Sequence, residues 1–554
     1  MDGLKEKLAA AGFSGELDDS IETRDLFSHD ASMFELRPQL VASPKDSADL
    51  QRLVRFVAAN KKSMPELSLT GRSAGTDMAG GAINESIIVD FARHFTKIGP
   101  ITGLSGTAEP GVFYRDFEAA TLKKGVLMPS YPASRDLCMI GGITANNSGG
   151  EKSLEYGKVE KFVTHMKVVF ADGKEYEVRP LTKKQLESKI SQNDYEGKIY
   201  KRIYRLCEDH YDIIKEARPR VSKNSMGYGL WNVWDRETGI FDLGQLIVGS
   251  EGTLGMVTET TFRLVPHRPH SGLLVLFLKN INHLGELIPA VLKHKPATFE
   301  SFDDQTLLLS LRFMPAFYKR LGLKKFVHLL WSLLPDGLQL LRGVPKLILM
   351  VEFNGNTEEE VREKVRALHR DLGKYKARYE INGYEEDASE GKSEKFWIMR
   401  RYSFQILRSK VKDKHTAPYI DDFAVPPEHL AKFLPQLQKI IRKYKLFATI
   451  AGHMGDGNFH VIPLMKIEDE KERKKIEPSQ REVNNLVLKY GGSLSGEHND
   501  GLVRGPWLEA QFGKPVLALF KEVKKTFDPD NIFNPHKKTD ATWDYSFSHI
   551  REHF

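Results

Sequence analysis

The first half of the chain alternates short apolar runs with helical stripes. In residues 45–60 (KDSADLQRLVRFVAAN), Leu50, Leu53, Val54 and Val57 recur at the spacing of one helical face just after Ser43-Pro44, which predicts a helix there. Residues 67–70 predict a strand, residues 71–82 a glycine-rich loop, and residues 86–90 (SIIVD) a buried strand bounded by polar positions. Residues 165–171 and 175–178 flank Asp172-Gly173, the signature of a β-hairpin. Residues 246–261 predict a strand, a glycine loop and a second strand.

From about residue 266 the pattern changes, with apolar strands at 274–278 and 347–353 separated by long helical stretches. Residues 447–453 (FATIAGH) and 459–463 (FHVIP) predict two strands joined by the turn-rich Met454-Gly455-Asp456-Gly457-Asn458. Residues 309–341 interleave Phe313, Phe317, Phe326, Trp331 and several leucines with Arg312, Lys319, Arg320, Lys324 and Lys325. Such a basic amphipathic segment either covers the second domain's sheet or lies on anionic lipid. The first 17 residues mix Asp, Lys and Glu with Ala and Gly and predict a helical extension. The fold class expected is α+β, with a glycine-rich nucleotide domain followed by a substrate domain.

Composition narrows the function. The 554 residues are 41% hydrophobic and 28% charged, so the chain folds into at least two domains. A net charge of +7 is spread along the sequence without a basic stripe, which argues against nucleic acid and welcomes anionic substrates. The only cysteines are Cys138 and Cys207, with no Cys-x-x-Cys run, so no cysteine-ligated iron–sulfur cluster is expected and electrons must leave through a separate acceptor. There is no secretory signal pattern, and the greasiest run, 326–334, is stopped by Pro335 and Asp336, far short of a membrane span. The expected location is cytoplasmic, with peripheral contact at the inner face of the membrane left open by residues 309–341.

Three segments concentrate glycine: Gly71-Arg72-Ser73-Ala74-Gly75-Thr76, Ile140-Gly141-Gly142-Ile143 with Asn146 to Gly150, and Val248-Gly249-Ser250-Glu251-Gly252-Thr253-Leu254-Gly255. Glycines let main-chain N–H groups approach phosphate oxygens, and Ser73 and Thr76 add hydroxyl donors. A dinucleotide diphosphate suits that chemistry. None of the three is a G-x-G-x-x-G fingerprint and none carries a P-loop lysine.

The last quarter carries the strongest chemical signal. His453 and His460 flank the mouth of the 447–463 hairpin and form a natural pair of divalent-metal ligands, with Glu497 as third ligand and zinc, manganese or iron all suited. Such a set leaves coordination positions open for the hydroxyl and carboxylate oxygens of a hydroxy acid. His498, beside Glu497, is placed to take the hydroxyl proton while C2 loses hydride.

Residues 70–82 (TGRSAGTDMAGGA), 140–150 (IGGITANNSGG) and 247–259 (IVGSEGTLGMVTE) resemble the FAD-contacting segments of the vanillyl-alcohol oxidase / p-cresol methylhydroxylase superfamily. Residues 452–460 (GHMGDGNFH) and 495–498 (SGEH) resemble its FAD-linked D-2-hydroxyacid dehydrogenase branch, which includes D-lactate dehydrogenases, the glycolate oxidase flavin subunit and D-2-hydroxyglutarate dehydrogenase. The likeness extends from about Leu36 to Lys537. It implies a two-subdomain FAD-binding domain of the p-cresol methylhydroxylase type over 36–268, after an extension at 1–35. A substrate (cap) domain with an antiparallel sheet would cover 269–540, its last segment returning to the FAD site, with a tail at 541–554.

The resemblance implies cofactor contacts from Arg72, Ser73, Ala74, Gly75, Thr76, Asp77, Pro129, Ser134, Gly141, Gly142, Asn146, Glu251, Gly252, Val257 and Asn534. Thr70-Gly71-Arg72 stands where relatives attach FAD covalently, so FAD is expected to be non-covalent, with Cys138 a buried structural thiol. Trp397-Ile398-Met399-Arg400 resembles the branch's W-x-x-R, which implies that Arg400 grips the substrate carboxylate. After Glu497-His498 this chain has Asn499-Asp500-Gly501 where the branch has other residues, which puts pocket details in doubt. The implied activity is oxidation of a D-2-hydroxy acid such as D-lactate or D-2-hydroxyglutarate, the electrons passing to a quinone, an electron-transfer flavoprotein or an iron–sulfur protein. A transferase of the alkyl-dihydroxyacetone-phosphate synthase type and a flavin electron-transfer subunit are the alternatives. A homodimer is left open.

Overall fold

A computed structural model describes residues 3–304, 306, 344–387, 395–398, 400 and 414–552. The amphipathic segment expected at 309–341 lies outside the described residues. The chain opens with a helix, Leu4–Ala10, which ends before Gly12 in the left-handed region, then forms β1 (Glu16–Asp18). β1 pairs antiparallel with β2 (Leu40–Ser43), which is joined through parallel pairing to β3 (Leu69–Arg72) and β4 (Ile87–Asp90) in the order β1-β2-β4-β3. The first residues are therefore not a helical extension alone, because they supply an edge strand to this sheet.

The expected helix appears at Ser47–Asn60. The Asp46 carboxylate caps it by accepting from Asp49 N, and Leu50, Leu53, Val54 and Val57 are fully buried.

A second, antiparallel sheet contains β5 (Ile98–Thr102), β6 (Ser105–Ala108), β7 (Val163–Val169), β8 (Glu175–Val178) and β9 (Met256–Arg263), in the order β5-β6-β9-β7-β8. β7 and β8 are the expected hairpin, with Gly173 left-handed in its turn. One expectation fails here. Leu246 and Ile247 close a helical turn, Gly244–Ile247, and only β9 is a strand, since a short buried apolar run does not distinguish the two states.

The substrate half is built on an eight-stranded sheet among the described residues. It runs β13 (Ile381–Asp387), β10 (His270–Leu278), β12 (Leu347–Gly355), β11 (Thr298–Asp303), β16 (Phe447–His453), β17 (Asn458–Met465), β14 (His415–Thr416), with β15 (Phe423–Ala424) also paired to β17. The helices Leu284–Leu292, Glu358–Gly373, Leu430–Lys443 and Ile476–Lys489 bury one face of it in a core that includes Leu274, Leu276, Leu349 and Val351. Leu273, Val275, Phe302, Ile348 and Met350 on the other face pack with Phe396 and Trp397.

The chain then returns to its first half. The helix Leu508–Phe527 buries Val516, Phe520, Val523 and Phe527 against the core around Ile199 and Ile203. Beyond it Leu69 N donates to Ile532 O at 2.8 Å and Asn534 N donates to Leu69 O at 2.8 Å, stitching the late segment to β3. The residues after 541 bind the other end of the chain, with Glu35 N donating to His549 O and Arg551 N to Met33 O.

Candidate functional site

The loop that follows β3, the short helix Ile140–Ala145 with the residues after it, and the loop that follows Gly249 converge on one cleft of about 1290 Å³, counting its open mouth. Ser73, Ala74, Gly75, Thr76, Asp77, Ser134, Gly141, Gly142, Asn146, Glu251, Gly252 and Val257 all line it. Three residues expected there do not. The Arg72 guanidinium turns away to the carbonyls of His29, Phe27 and Ala82 and stacks on the Phe27 ring. Pro129 is buried off the lining, where Pro132 and Ala133 stand instead. Asn534 sits behind the loops, its amide donating to Gly81 O and Glu251 O and its oxygen accepting from Thr70 Oγ1.

Asp77 organises the first loop rather than facing it with a bare charge. Its Oδ2 accepts from Ala79 N and Gly81 N, and its Oδ1 accepts from Asn146 Nδ2 at 3.0 Å, tying the first glycine loop to the second. A Cβ built at Gly142 or at Gly252 would meet nothing within 4 Å, so both glycines open onto the cleft itself. Gly252 is also left-handed (φ +69°), a conformation that disfavours any other residue. Glu251 accepts from Gly501 N at 2.9 Å, and burial pushes its carboxyl up to about 8. Cys138 reaches the lining, but burial pushes its thiol up to about 12, where it is not a nucleophile at neutral pH. The cradle is mostly apolar and glycine-walled, and its volume and main-chain donors suit a dinucleotide.

Glu497 and His498 line the same cleft, so the histidine–carboxylate cluster adjoins the glycine loops. The hairpin geometry explains the cluster. Ala451 pairs with His460 across β16 and β17, which puts His453 and His460 diagonally on one face of the sheet with ring centroids 5.5 Å apart. Ser301 pairs with Gly452 in the neighbouring β11, bringing Glu300 beside His453 on that face.

His453 Nδ1 lies 2.6 Å from Glu300 Oε1, and its Nε2 lies 3.1 Å from Glu497 Oε1. His460 Nδ1 lies 3.0 Å from Asp421 Oδ1, and its Nε2 lies 3.3 Å from the same Glu497 oxygen. His498 Nδ1 lies 2.8 Å from Asp421 Oδ2, with its Nε2 4.0 Å from Glu497 Oε1.

Glu497 thus turns one oxygen to three imidazoles. Its other oxygen, Oε2, accepts from the fully buried Lys223 at 3.1 Å. Burial alone would raise the Glu497 carboxyl, but Lys223 and His453 hold it well below the usual carboxylate range. Burial likewise disfavours the charged His460 ring, yet Asp421 and Glu497 outweigh it and carry the ring up to about 10.

If each Nδ1–H is given to its carboxylate, the Nε2 lone pairs of His453 and His460 face an acceptor oxygen at close range, an arrangement that needs a proton or a cation between them. This donor set fits a divalent metal, with both rings oriented by carboxylates on the far nitrogen. Among the described residues, the ligand atoms of Asp422, His460, Glu497 and His498 lie within 4.8 Å of one another, a group that shares His460 and Glu497 with the expected set and holds His498 in place of His453. Asp422, however, is already engaged, because its carboxylate accepts from Glu497 N, His498 N, Ser495 Oγ and Asn458 Nδ2.

Arg400 is half-buried and its Nη2 pairs with Glu300 Oε2, so Glu300 links it to His453. Asn499 and Asp500, the departure from the branch's usual sequence, do not line the cleft. Asn499 Nδ2 donates to Gly249 O, and Lys538 Nζ donates to Asn499 Oδ1 and Asp500 Oδ2.

Sequence reasoning missed Glu300, Asp421, Asp422 and Lys223. A signal existed for the acids, since Asp421-Asp422 interrupts the apolar run from Tyr419 to Val425 and Glu300 sits between Phe299 and Phe302. Lys223 carried none.

Residues 38–179 match the family model "FAD binding domain", and residues 268–538 match "FAD linked oxidases, C-terminal domain". The chain is 27% identical over 540 residues to a D-2-hydroxyglutarate dehydrogenase of Escherichia coli (strain K12), covering 96% of this chain and 51% of that protein. It is 26% identical over 540 residues to glycolate oxidase subunit GlcD of Bacillus subtilis (strain 168), covering 96% of each. The chain spans about half the length of the D-2-hydroxyglutarate dehydrogenase it matches.

Among solved structures, 4-ethylphenol oxidase from Gulosibacter chungangensis superposes with a TM-score of 0.67 at 13% identity over 98% of each chain. An alkyldihydroxyacetonephosphate synthase superposes with a TM-score of 0.65 at 15% identity, over 97% of this chain and 86% of that one. At such identities the likeness is one of fold. Among the described residues, no helix is long and apolar enough to cross a membrane.

Proposed function

The chain belongs to the FAD-linked oxidases, and from that premise we propose that it is an FAD-dependent dehydrogenase of D-2-hydroxy acids of the D-lactate or D-2-hydroxyglutarate type. The observation that carries this reading is the single cleft lined both by the glycine loops and by Glu497-His498. FAD bound along Ser73 to Asp77, Gly141, Gly142, Asn146, Glu251 and Gly252 would supply the hydride acceptor.

His453, His460 and Glu497 would hold a zinc, manganese or iron ion, which would supply Lewis-acid polarisation of a hydroxyl oxygen. His498, held through Nδ1 by Asp421, presents Nε2 as the acceptor of the hydroxyl proton. Arg400, beside Glu300 and His453 on the substrate sheet, binds the substrate carboxylate. The electrons pass on to a separate acceptor, a quinone or another redox protein.

The test is an anaerobic panel of D- and L-2-hydroxy acids added to the yellow, metal-loaded protein. D enantiomers are expected to bleach the flavin band and L enantiomers to leave it. A panel that bleaches nothing contradicts the assignment.

A further inference from the structure

Asp421 is 2% exposed and divides its two carboxylate oxygens between two rings, Oδ1 to His460 Nδ1 at 3.0 Å and Oδ2 to His498 Nδ1 at 2.8 Å. The two imidazoles stack with centroids 4.9 Å apart and an interplanar angle of 26°, so one carboxylate sets the tilt of both. Arg504 Nη1 donates to the Asp421 main-chain oxygen, and the next residue, Asp422, is left-handed (φ 69°) with its side chain engaged by the Glu497 and His498 amides. Asp421 is therefore held between the two segments whose rings it joins.

A carboxylate can only accept, so each Nδ1 must carry a proton and each neutral ring must keep its lone pair on Nε2. Those are the nitrogens that face Glu497 Oε1, at 3.3 Å for His460 and 4.0 Å for His498.

We propose that Asp421 is a positioning residue that imposes one tautomer on two rings at once, the metal ligand His460 and the proton acceptor His498, so that metal binding and proton removal share a single orienting group. The proposal rests on the dehydrogenase reading above for the role of His498. Its consequence for metal binding holds without any substrate.

The isosteric variant Asp421→Asn decides. An amide offers one acceptor and one donor here, so it cannot serve two Nδ1–H groups, and one ring must move its proton to Nε2. A flipped His460 loses its coordinating lone pair, and a flipped His498 loses its proton-accepting one. Zn²⁺ affinity would be measured on the FAD-loaded, substrate-free protein against a chromophoric chelator, and kcat and KM with the D-2-hydroxy acid that bleaches the wild type.

The expected result is a dissociation constant raised about 10- to 100-fold, or a kcat lowered about 10²- to 10⁴-fold at a KM within about threefold, with FAD content unchanged. A variant in which both quantities stay within threefold of wild type overturns the proposal. If the amide variant does not fold, Asp421→Glu takes its place. It keeps both acceptors but shifts them by a methylene, so kcat or zinc affinity must fall at least about tenfold, and no change in either is again contrary. A wild-type protein that bleaches with nothing defeats the dehydrogenase reading alone, because the zinc arm still judges Asp421.

Discussion

On one wall of the cleft, Gly142 and Gly252 leave open the space a side chain would take, Asp77, Glu251 and Asn534 are spent on holding loop backbones, and Asn146 is tied to Asp77. On the other wall, Glu497 and His498 line the cleft, His453 and His460 stand beside them around the same Glu497 oxygen, and Glu300, Asp421 and Lys223 are spent on orienting these side chains. The first wall offers shape and main-chain donors, which suits a cofactor that must be held without being changed. The second offers fixed lone pairs and a buried cation–carboxylate network, which suits a group that must accept a proton. The contrast implies that damage to the first wall lowers cofactor affinity, and damage to the second lowers turnover or metal binding while FAD stays.

The largest effect is expected from Glu497→Gln. The amide removes the charge shared by three imidazoles and leaves Lys223 buried without its nearest carboxylate. Metal affinity should fall well beyond the about 100-fold that loss of an outer partner costs, with flavin absorbance retained, as read by metal analysis and chelator competition. Retained metal would show that Glu497 is not a ligand.

Next comes Gly252→Val on the opposite wall, where a side chain would enter both the cleft and a left-handed backbone position. FAD affinity should fall about 10- to 100-fold, given a strain of roughly 1–2 kcal/mol before any clash. Metal content should be untouched. A loss of metal with FAD retained would erase the distinction between the walls.

How much of this could be read from the sequence follows the same division. The glycine loops, the hairpin with His453 and His460, and the Glu497-His498 pair are local patterns, and all of them meet at the cleft or beside it. Arg72 and Asn534 lie in matching motifs, yet each is turned to backbone carbonyls, because a motif fixes position along the chain and not the direction of a side chain. Glu300, Asp421 and Lys223 come from segments up to about 270 residues away from their partners, as in the Lys223–Glu497 separation of 274, and nothing local announces such a contact. Leu246 and Ile247 suggest a strand yet close the helical turn Gly244–Ile247 for the simpler reason that so short a buried apolar run carries no period.

The smallest effect concerns Glu251. Burial raises its carboxyl from 4.5 to about 8, so between those values the folded chain holds a proton that the unfolded chain has released. Stability must then decline as pH rises through that window. Glu251→Gln removes the titrating group, and thermal unfolding of the variant should show a flatter decline from about pH 4.5 to 8 than the wild type. An identical slope would place the proton elsewhere.

The central claim is that the two walls act as one site with separable duties, and His498→Ala tests it most directly. The measurement is the rate of anaerobic flavin bleaching by a D-2-hydroxy acid, taken with the FAD content of the same sample. The account predicts full FAD content and bleaching slowed about 10²- to 10⁴-fold, the usual worth of a general base. Bleaching at the wild-type rate would contradict it.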